Sequence, residues 1–164
     1  MVEIAWRIVS ALLFQCSLFP FYSPKRGLLR LFGAKIGKNV LIKPRVTITF
    51  PWKISIGDYS WIGEEVWLDS LDQIDIGSNV CISQRAYLCT GSHDSKASSF
   101  NLHTKPIVVE DGAWIGASAL ISPGIKLGKQ CFVTLGSVVT KDVPERKIFS
   151  GNPAIEKKER VIEE

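Results

Sequence analysis

The sequence IGSNVCISQRAYL, residues 76–88, carries an aliphatic residue at its first, seventh and thirteenth positions. Four positions after the aliphatic residue stands a small or β-branched one, such as Val80 or Ala86. A fixed short period is typical of a solenoid, and a hexapeptide period is typical of a β-helix. The same spacing recurs in blocks over residues 36–139, at Ile36, Ile42, Ile48, Ile56, Ile62, Leu68, Ile76, Ile82, Leu88, Val109, Ile115, Ile121, Leu127, Val133 and Val139.

Each hexapeptide is predicted to form a short strand and a turn. The aliphatic residue points inward, and the residue four positions later also points inward near a corner, so it must be compact. Three hexapeptides make one triangular coil, and successive coils stack in parallel about 4.8 Å apart. The predicted stacks on the three faces are Ile36 with Ile56 and Ile76, Ile42 with Ile62 and Ile82, and Ile48 with Leu68 and Leu88.

Two details of the repeat lead to further predictions. Glycine often follows the aliphatic residue, as at Gly57 and Gly116, and we expect it there because it tolerates backbone angles that a β-carbon would penalise. The period slips by two residues twice, and we interpret residues 54–55 and 74–75 as extra residues at one corner of each coil. A β-sandwich is the alternative, but its strands would alternate with period two over longer runs.

Length and composition indicate a single domain that is mildly basic, with a formal net charge of +4. The 164 residues include 20 Lys and Arg against 16 Asp and Glu, without the basic stripe and interleaved aromatics that nucleic-acid binding requires. We divide the chain into an N-terminal apolar helical segment (residues 1–35), a β-helix domain (36–144) and a C-terminal tail (145–164). The four cysteines show no CxxC spacing, and we interpret them as reduced packing residues of a cytosolic protein: Cys16, Cys81, Cys89 and Cys131.

Residues 8–24 hold no charge and lie between Arg7 and Lys25. These seventeen residues are fewer than the about 20 that a membrane-spanning helix needs. Two alternatives stay open for this segment. It caps the first coil of a cytoplasmic protein, or it lies in the membrane interface with its flanking basic residues near the headgroups. The second alternative predicts peripheral binding at the inner face of the membrane.

The repeat stops after Leu88, at the sequence TGSHD of residues 90–94, and restarts at Val109. Residues 94–106 are polar and aperiodic, which predicts a loop inserted on one face; such insertions are commonly functional. His93 stands at the base of the insertion. A histidine can accept a proton with one ring nitrogen while a partner holds the other, so we predict that His93 is a general base. His103, within the loop, is interpreted as a solvated or loop-packing side chain.

Several segments together resemble the hexapeptide-repeat acyltransferases: WKISIGD at 52–58, YLCTGSHD at 87–94, PIVVE at 106–110, AWIGA at 113–117, GSVVTKDVP at 136–144 and GNPA at 151–154. The resemblance covers about residues 30–154. It is closest to the colanic-acid (exopolysaccharide) O-acetyltransferases, in the branch with the maltose, galactoside and nodulation-factor acetyltransferases. It implies an all-β fold, a left-handed parallel β-helix with a short N-terminal helical segment, assembled as a homotrimer with acetyl-CoA in a groove between two subunits.

The same resemblance implies a mechanism and a set of contacts. His93 takes a proton from a sugar hydroxyl, which attacks the acetyl thioester directly, without a metal or a covalent enzyme intermediate. Ala117 stands where a serine is frequent, and Ile155 replaces a basic residue near the CoA phosphates, so Lys158 is assigned to the phosphates with a solvated tail as the equal alternative. The implied acetyl-CoA contacts are Trp114, Gly116, Ala117, Leu135, Thr140, Lys141 and Lys158.

Three acidic residues are candidates for the acceptor side of the site. Glu65 and Asp69 precede His93 by one coil, and Asp94 follows it directly. We assign all three to substrate binding. For Glu65 and Asp69, an exposed corner charge is an equal alternative.

Other functions fit the sequence less well. A zinc enzyme of the γ-carbonic anhydrase type uses three histidines on the same prism, and this chain has two. A non-catalytic β-helix scaffold needs neither the insertion nor a histidine at its base. A serine acetyltransferase normally brings a larger helical N-terminal domain. A small free sugar or an amino acid stays open as the acceptor, because the sequence does not identify it.

Overall fold

The computed structural model describes residues 2–14 and 22–162, so the prediction for Cys16 lies outside the described residues. Two helices, α1 (Val2–Leu13) and α2 (Tyr22–Leu31), precede the strands. The strands in chain order are β1 (Lys35–Ile36), β2 (Leu41–Ile42), β3 (Thr47–Ile48), β4 (Ile54–Ile56), β5 (Trp61–Ile62), β6 (Trp67–Asp69), β7 (Ile74–Ile76), β8 (Cys81–Ile82), β9 (Tyr87–Cys89), β10 (Gly91–His93), β11 (Leu102–Thr104), β12 (Ile107–Val109), β13 (Trp114–Ile115), β14 (Leu120–Ile121), β15 (Lys126–Leu127), β16 (Phe132–Val133), β17 (Val138–Val139), β18 (Lys147–Gly151) and β19 (Ala154–Glu159).

The strands form the three faces of a prism. The first face has the order β1-β4-β7-β12-β15, the second β2-β5-β8-β13-β16-β18-β19, and the third β3-β6-β9-β14-β17. All neighbours on these faces are parallel except β18 and β19. The predicted stacks are confirmed, because Ile36 pairs with Ile56, Ile42 with Ile62 and Ile48 with Leu68, and each partner pairs with the corresponding residue of the next coil.

The inside of the prism is one continuous apolar core. The aliphatic residue of each hexapeptide is buried, and so are compact residues four positions later, including Val80 and Ala86. Ser92, four positions after Leu88, is the exception, because it is half-buried and pairs with His103 in the inserted segment. Cys131 occupies one of these inward positions and is fully buried. Burial of these side chains between successive coils is the main favourable contribution to the fold, about 25 cal/mol for each Å² of apolar surface removed from water.

The predicted reason for the glycines is wrong, although their positions are right. The left-handed backbone conformation is taken at the corners by other residues, for example Asn39 and Arg45 at φ of 52° and 58°. The glycines after the aliphatic residue are needed for space. A β-carbon on Gly116 would lie 2.5 Å from the backbone nitrogen of Leu135 in the next coil, and one on Gly57 would lie 2.6 Å from the backbone of Gly77.

The interpretation of residues 54–55 and 74–75 as extra corner residues is also wrong. Ile54 and Ile74 are buried and pair in register with each other, and Ile74 pairs with Ile107. Strands β4, β7 and β12 therefore have three residues each. The additional length of the coil is taken up earlier, in the short 3₁₀ turn Pro51–Lys53 and in the bend that follows Ser70.

The N-terminal helices close the open end of the prism. Trp6 is buried, packs edge-on against Phe14 with ring centroids 5.3 Å apart, and donates from Nε1 to the carbonyl oxygen of Ile48 at 2.8 Å. The basic side chains of α2 bond to backbone carbonyl oxygens of the first coil: Lys25 to Lys43, Arg26 to Val40, and Arg30 to Ile36 and Gly37. The segment therefore acts as a cap. Within the described ranges, neither helix has the length and apolarity to cross a bilayer.

The C-terminal segment predicted as a tail is largely structured. Strand β18 pairs in parallel with β16 and so continues the second face, and β19 folds back on it in antiparallel register. Arg160 then donates from Nη1 to the carbonyl oxygens of Gly112, Gln130 and Cys131 at 3.1–3.2 Å. These bonds hold the end of the β18–β19 hairpin against the corner between the first and second faces.

Candidate active site

The inserted segment is a β-hairpin that begins earlier than predicted. Strands β10 and β11 pair in antiparallel register, with Ser92 opposite His103 and His93 opposite Leu102. The hairpin projects from the corner between the third and first faces, since β10 follows β9 and β11 leads into β12. Because Gly91 and Ser92 are paired, the insertion starts at Gly91 and not at Asp94.

Hydrogen bonds of polar side chains anchor the base of the hairpin. Thr90 is fully buried; its hydroxyl donates to the carbonyl oxygen of Asp69 at 2.6 Å and accepts from the backbone N–H of Asp72 at 2.8 Å. Thr104 donates to the Asp72 carboxylate at 3.0 Å. Gly91 leaves room for Leu71, whose Cδ1 would lie 2.6 Å from an added β-carbon. The base of the hairpin is therefore fixed to the preceding coil.

The ring of His93 is oriented by a backbone carbonyl. Its Nδ1 lies 2.6 Å from the carbonyl oxygen of Phe100, across the hairpin. A carbonyl oxygen only accepts hydrogen bonds, so in the neutral ring Nδ1 carries the proton and Nε2 has the free lone pair. Phe100 has φ of 46°, a conformation that is uncommon for a bulky residue. The local backbone thus holds His93 in the tautomer that a general base requires.

His103 lies on the opposite side of the hairpin from His93. It is paired with Ser92, whereas His93 is paired with Leu102. Successive side chains of a strand point to opposite faces, so the two imidazoles face apart. His103 is exposed, which agrees with its interpretation as a solvated side chain.

Asp69 lies at the end of β6, beside the base of the hairpin, and its carboxylate is held by neighbouring side chains. Thr49 donates to Oδ1 at 2.9 Å, and Tyr87 donates to Oδ2 at 3.1 Å. The Cys89 thiol lies 3.8 Å from Oδ2. The pKa of Tyr87 is raised, first by burial and then by the hydrogen bond with Cys89 and the charge of Asp69. Its phenol therefore stays protonated and can donate a hydrogen bond. Trp67 stacks on the Tyr87 ring at 4.8 Å.

The other two predicted acceptor residues have structural partners. Glu65 lies at the corner between the second and third faces, where Arg45 bonds to Oε1 at 2.9 Å and Arg85 to Oε2 at 2.7 Å. The two guanidinium groups, Arg85 first, lower the pKa of the Glu65 carboxyl. Asp94 accepts from the backbone N–H of Lys96 at 2.9 Å and stabilises the turn of the hairpin. Of the three carboxylates, only Asp69 is fixed beside the base of the hairpin.

The second face carries a row of outward-facing side chains that includes two predicted acetyl-CoA contacts. Trp114 pairs with Phe132, Phe132 with Ile148, and Ile148 with Lys158. The Trp114 and Phe132 rings stack at 4.3 Å, and the Trp114 Nε1 donates to Ser83 at 3.0 Å. Three strand spacings separate Trp114 from Lys158, about 14 Å. The row thus joins an aromatic platform to an exposed cation.

Three further predicted contacts lie at the corner between the second and third faces. Gly116 and Ala117 follow β13, and Leu135 is 76% exposed one coil later. The Ala117 carbonyl accepts from the N–H of Gly136 at 2.8 Å. A groove of about 640 Å³ runs along the second face beside them, lined by residues that include Trp61, Ser83 and Gln84.

The remaining predicted contacts are on the other side of the prism. Thr140 and Lys141 are exposed and follow β17 at the corner between the third and first faces, the corner from which the hairpin with His93 projects. The predicted site residues of one chain therefore lie in two places: His93 and the Asp69 carboxylate at the corner between the third and first faces, and the Trp114 row on the second face. In the part of the chain that the structure describes, no three His, Cys, Asp or Glu side chains are grouped as metal ligands.

Sequence reasoning missed several neighbours of the predicted residues. The contact of His93 with the Phe100 carbonyl could not be predicted, because the residue type does not determine the backbone conformation. The proximity of Thr49 and Cys89 to Asp69 could have been predicted from the sequence. Each is 20 residues from Asp69, and a coil of this prism takes about that number of residues, so the three residues stack in one column. The same spacing relates Arg45, Glu65 and Arg85.

Known proteins that are similar to this chain agree with the fold. A family model described as the hexapeptide repeat of succinyl-transferase matches residues 106–141. The structure of a maltose O-acetyltransferase from Clostridium difficile 630 has a TM-score of 0.87 and 25% identity, covering 98% of this chain and 87% of that one. A hexapeptide-repeat-containing acetyltransferase from Vibrio cholerae O1 biovar eltor, complexed with acetyl coenzyme A, has a TM-score of 0.88 and 25% identity, covering 98% and 88%.

A further relative extends over nearly the whole chain. The putative colanic acid biosynthesis acetyltransferase WcaF of Escherichia coli (strain K12) is 44% identical over 156 residues, 95% of this chain and 86% of its own length. The left-handed parallel β-helix is confirmed by the structural likeness. With this relative and the structural neighbours in agreement, the chain is an acyltransferase and belongs to the hexapeptide-repeat acetyltransferase family.

Proposed function

We propose that the protein transfers an acetyl group from acetyl-CoA to a sugar hydroxyl in the synthesis of a surface polysaccharide, in the cytoplasm. The colanic acid relative supports the acceptor class, and the Vibrio cholerae neighbour bound to acetyl coenzyme A supports the donor. The observation that carries the proposal is the 2.6 Å contact between His93 Nδ1 and the Phe100 carbonyl oxygen.

His93 is the general base. With Nδ1 donating to Phe100, Nε2 accepts the proton of the acceptor hydroxyl as the hydroxyl oxygen attacks the thioester carbonyl carbon. The carbon–sulfur bond then breaks, the thiolate of CoA leaves, and the imidazolium returns the proton to that sulfur. The new ester bond replaces the thioester, so no other reactant is required.

Asp69 positions the acceptor. Its carboxylate is held by Thr49 and Tyr87 at 2.9 Å and 3.1 Å, and an ionised carboxylate with two oxygens keeps acceptor capacity for a further sugar hydroxyl. Glu65 is bridged between Arg45 and Arg85 and is less suited to this role. Asp94 contributes by holding the hairpin turn.

The Trp114 row holds acetyl-CoA. Trp114 and Phe132 offer an aromatic platform beside the close-packed backbone of Gly116, where an extended pantetheine arm can lie. Leu135 adds an exposed apolar surface at the corner. Lys158 lies further along the same row, and its ammonium is suited to the phosphates of CoA.

The site is completed by a second copy of the chain in a homotrimer. His93 lies at one edge of the prism and the Trp114 row on the second face, so a three-fold arrangement can bring the hairpin of one subunit against the second face of the next. Such a heterologous contact closes into a ring when the rotation is 120°. Thr140 and Lys141 accompany His93 at the hairpin edge and meet the same ligand.

The test is release of coenzyme A by purified protein with acetyl-CoA and three acceptors: an exopolysaccharide repeat unit, maltose and serine. We expect release with the glycan acceptor. Release with serine alone would assign the enzyme to amino acids, and release with maltose alone would assign it to small free sugars. Failure to bind CoA and to acetylate any of the three would contradict the proposal.

Subunit sharing has its own test by complementation. His93→Ala and Trp114→Ala damage opposite sides of the proposed interface, so trimers that mix the two variants contain some sites with both residues intact. We expect co-expression to restore part of the activity that each variant lacks alone. A monomeric mass by light scattering, or no recovery in mixed trimers, would contradict the shared site.

A further inference from the structure

Helix α1 has two apolar sides, although a cap requires only one. Trp6 is buried in the prism end, and Val9 and Leu13 pack against the core. On the other side of the helix Ile4, Ile8 and Leu12 are 57–65% exposed. At 100° per residue these three positions centre on the direction opposite Trp6. We call them the outer stripe.

Charge is distributed unevenly along the chain, with the excess at the same end of the prism. The first 45 residues hold eight Lys and Arg against one acidic residue, and the other 119 hold twelve against fifteen. Lys35 and Lys38 are exposed there, and so is Arg7, which pairs with Glu3 at 2.9 Å. The first 45 residues build α1, α2 and most of the first coil, so the outer stripe lies on a basic end, although Arg45 pairs with Glu64 and Glu65 of the next coil.

We propose that this basic end docks on the surface of an anionic bilayer, with the outer stripe of α1 in the headgroup region. An amphipathic helix with large apolar side chains binds interfaces in this way, and nearby Lys and Arg add electrostatic attraction to anionic lipids. α1 has 12 residues, enough to lie in the interface. Residues 15–21, outside the described part of the chain, add no charge.

Two consequences of the fold favour this orientation. If the trimer of the proposed function forms, its three-fold axis places all three copies of the outer stripe at one level, and several weak anchors act together. The hairpin with His93 follows the third strand of the third face, which is two coil spacings, about 10 Å, from the first coil. A glycan attached to a membrane lipid is within reach of that site.

The test uses the full chain and sedimentation with vesicles, either phosphatidylcholine alone or phosphatidylcholine mixed with phosphatidylglycerol. We expect binding to the mixed vesicles that falls as salt rises. Ile8→Ser with Leu12→Ser should lower binding by about tenfold or more, because two anchoring side chains are lost. The matched control is Val161→Ser with Ile162→Ser, two exposed apolar residues of the C-terminal segment, and it should bind as the parent does.

Either of two results would overturn the docking proposal. One is that the parent protein does not sediment with mixed vesicles. The other is that the stripe variant binds as tightly as the parent. If the parent does not sediment and the stripe variant has a smaller mass in solution, the stripe is a contact between copies of this chain. Coenzyme A release with a soluble acceptor should be the same in all variants, so failure of docking and failure of the proposed function are distinguishable.

Discussion

The coils and the inserted hairpin are stabilised in opposite ways. In the coils, inward residues such as Ile82 and Leu88 are fully buried, and backbone groups bond to the coil before and after. In the hairpin, most side chains of residues 93–103 are exposed. It is held at its base by Thr90 and Thr104, and across its width by His93 and Phe100.

The coils therefore provide the stability of the fold, whereas the hairpin provides the groups proposed for the chemistry. Coil residues contribute stability because each is enclosed by its neighbours, so they determine where the hairpin begins. Hairpin residues bury little apolar surface and so contribute little to the free energy of folding. Their polar groups stay available for a ligand. We therefore expect activity and stability to respond to different substitutions.

The largest effect should come from His93. We expect His93→Ala to lower acetyl transfer by about 10²–10⁴-fold, the usual contribution of a positioned general base, with the melting temperature and CoA binding little changed. His103→Ala is the control within the same hairpin and should stay within about twofold of the parent on the same scale. Coenzyme A release measures both, and full activity in His93→Ala would remove this residue from the mechanism.

For apolar residues we expect the larger loss of stability from the coils and the smaller one from the hairpin. Leu88→Ala removes a fully buried coil side chain and should lower the free energy of unfolding by about 2–5 kcal/mol. Leu102→Ala changes an exposed leucine of the hairpin and should stay within about 0.5 kcal/mol. Denaturant unfolding at one protein concentration compares the two. Equal losses would mean that the hairpin is part of the cooperative core.

A smaller effect is expected from Tyr87, whose phenol donates to the Asp69 carboxylate beside the base of the hairpin. Tyr87→Phe keeps the stack on Trp67 but removes the 3.1 Å hydrogen bond to the carboxylate. A net hydrogen bond is worth about 0.5–1.5 kcal/mol, so the acceptor KM should rise roughly two- to tenfold while the KM for acetyl-CoA stays constant. Tyr59→Phe, at an exposed corner, is the matched control. An unchanged acceptor KM would mean that the Tyr87 hydrogen bond does not position Asp69 for the acceptor.

The smallest effect is expected from chelation. Thioester transfer to a hydroxyl needs a base and a donor for the oxyanion, and the proposed site supplies the base from His93. Activity should therefore survive exhaustive treatment with a chelator. If activity is lost and returns on adding zinc, a metal enzyme becomes the better hypothesis.

The sequence by itself determined the prism, because the hexapeptide period places one inward aliphatic residue on each face and leaves a single register for the stacks, as Ile36, Ile56 and Ile76 show. It also located the break at His93, since an interrupted period is visible in the residues themselves. Its explanation of the glycines was wrong, because the close approach of Gly116 to Leu135 depends on the spacing of two coils.

Only the tertiary structure decided how the functional groups are held. The tautomer of His93 depends on a backbone carbonyl seven residues away, and the Asp69 contacts with Thr49 and Tyr87 join residues of three different coils. The cap on the first coil and the outer stripe of α1 depend on which side of the helix meets the prism. A residue pattern records which side chains are buried together, but hydrogen-bond partners and exposed faces are set by the three-dimensional packing.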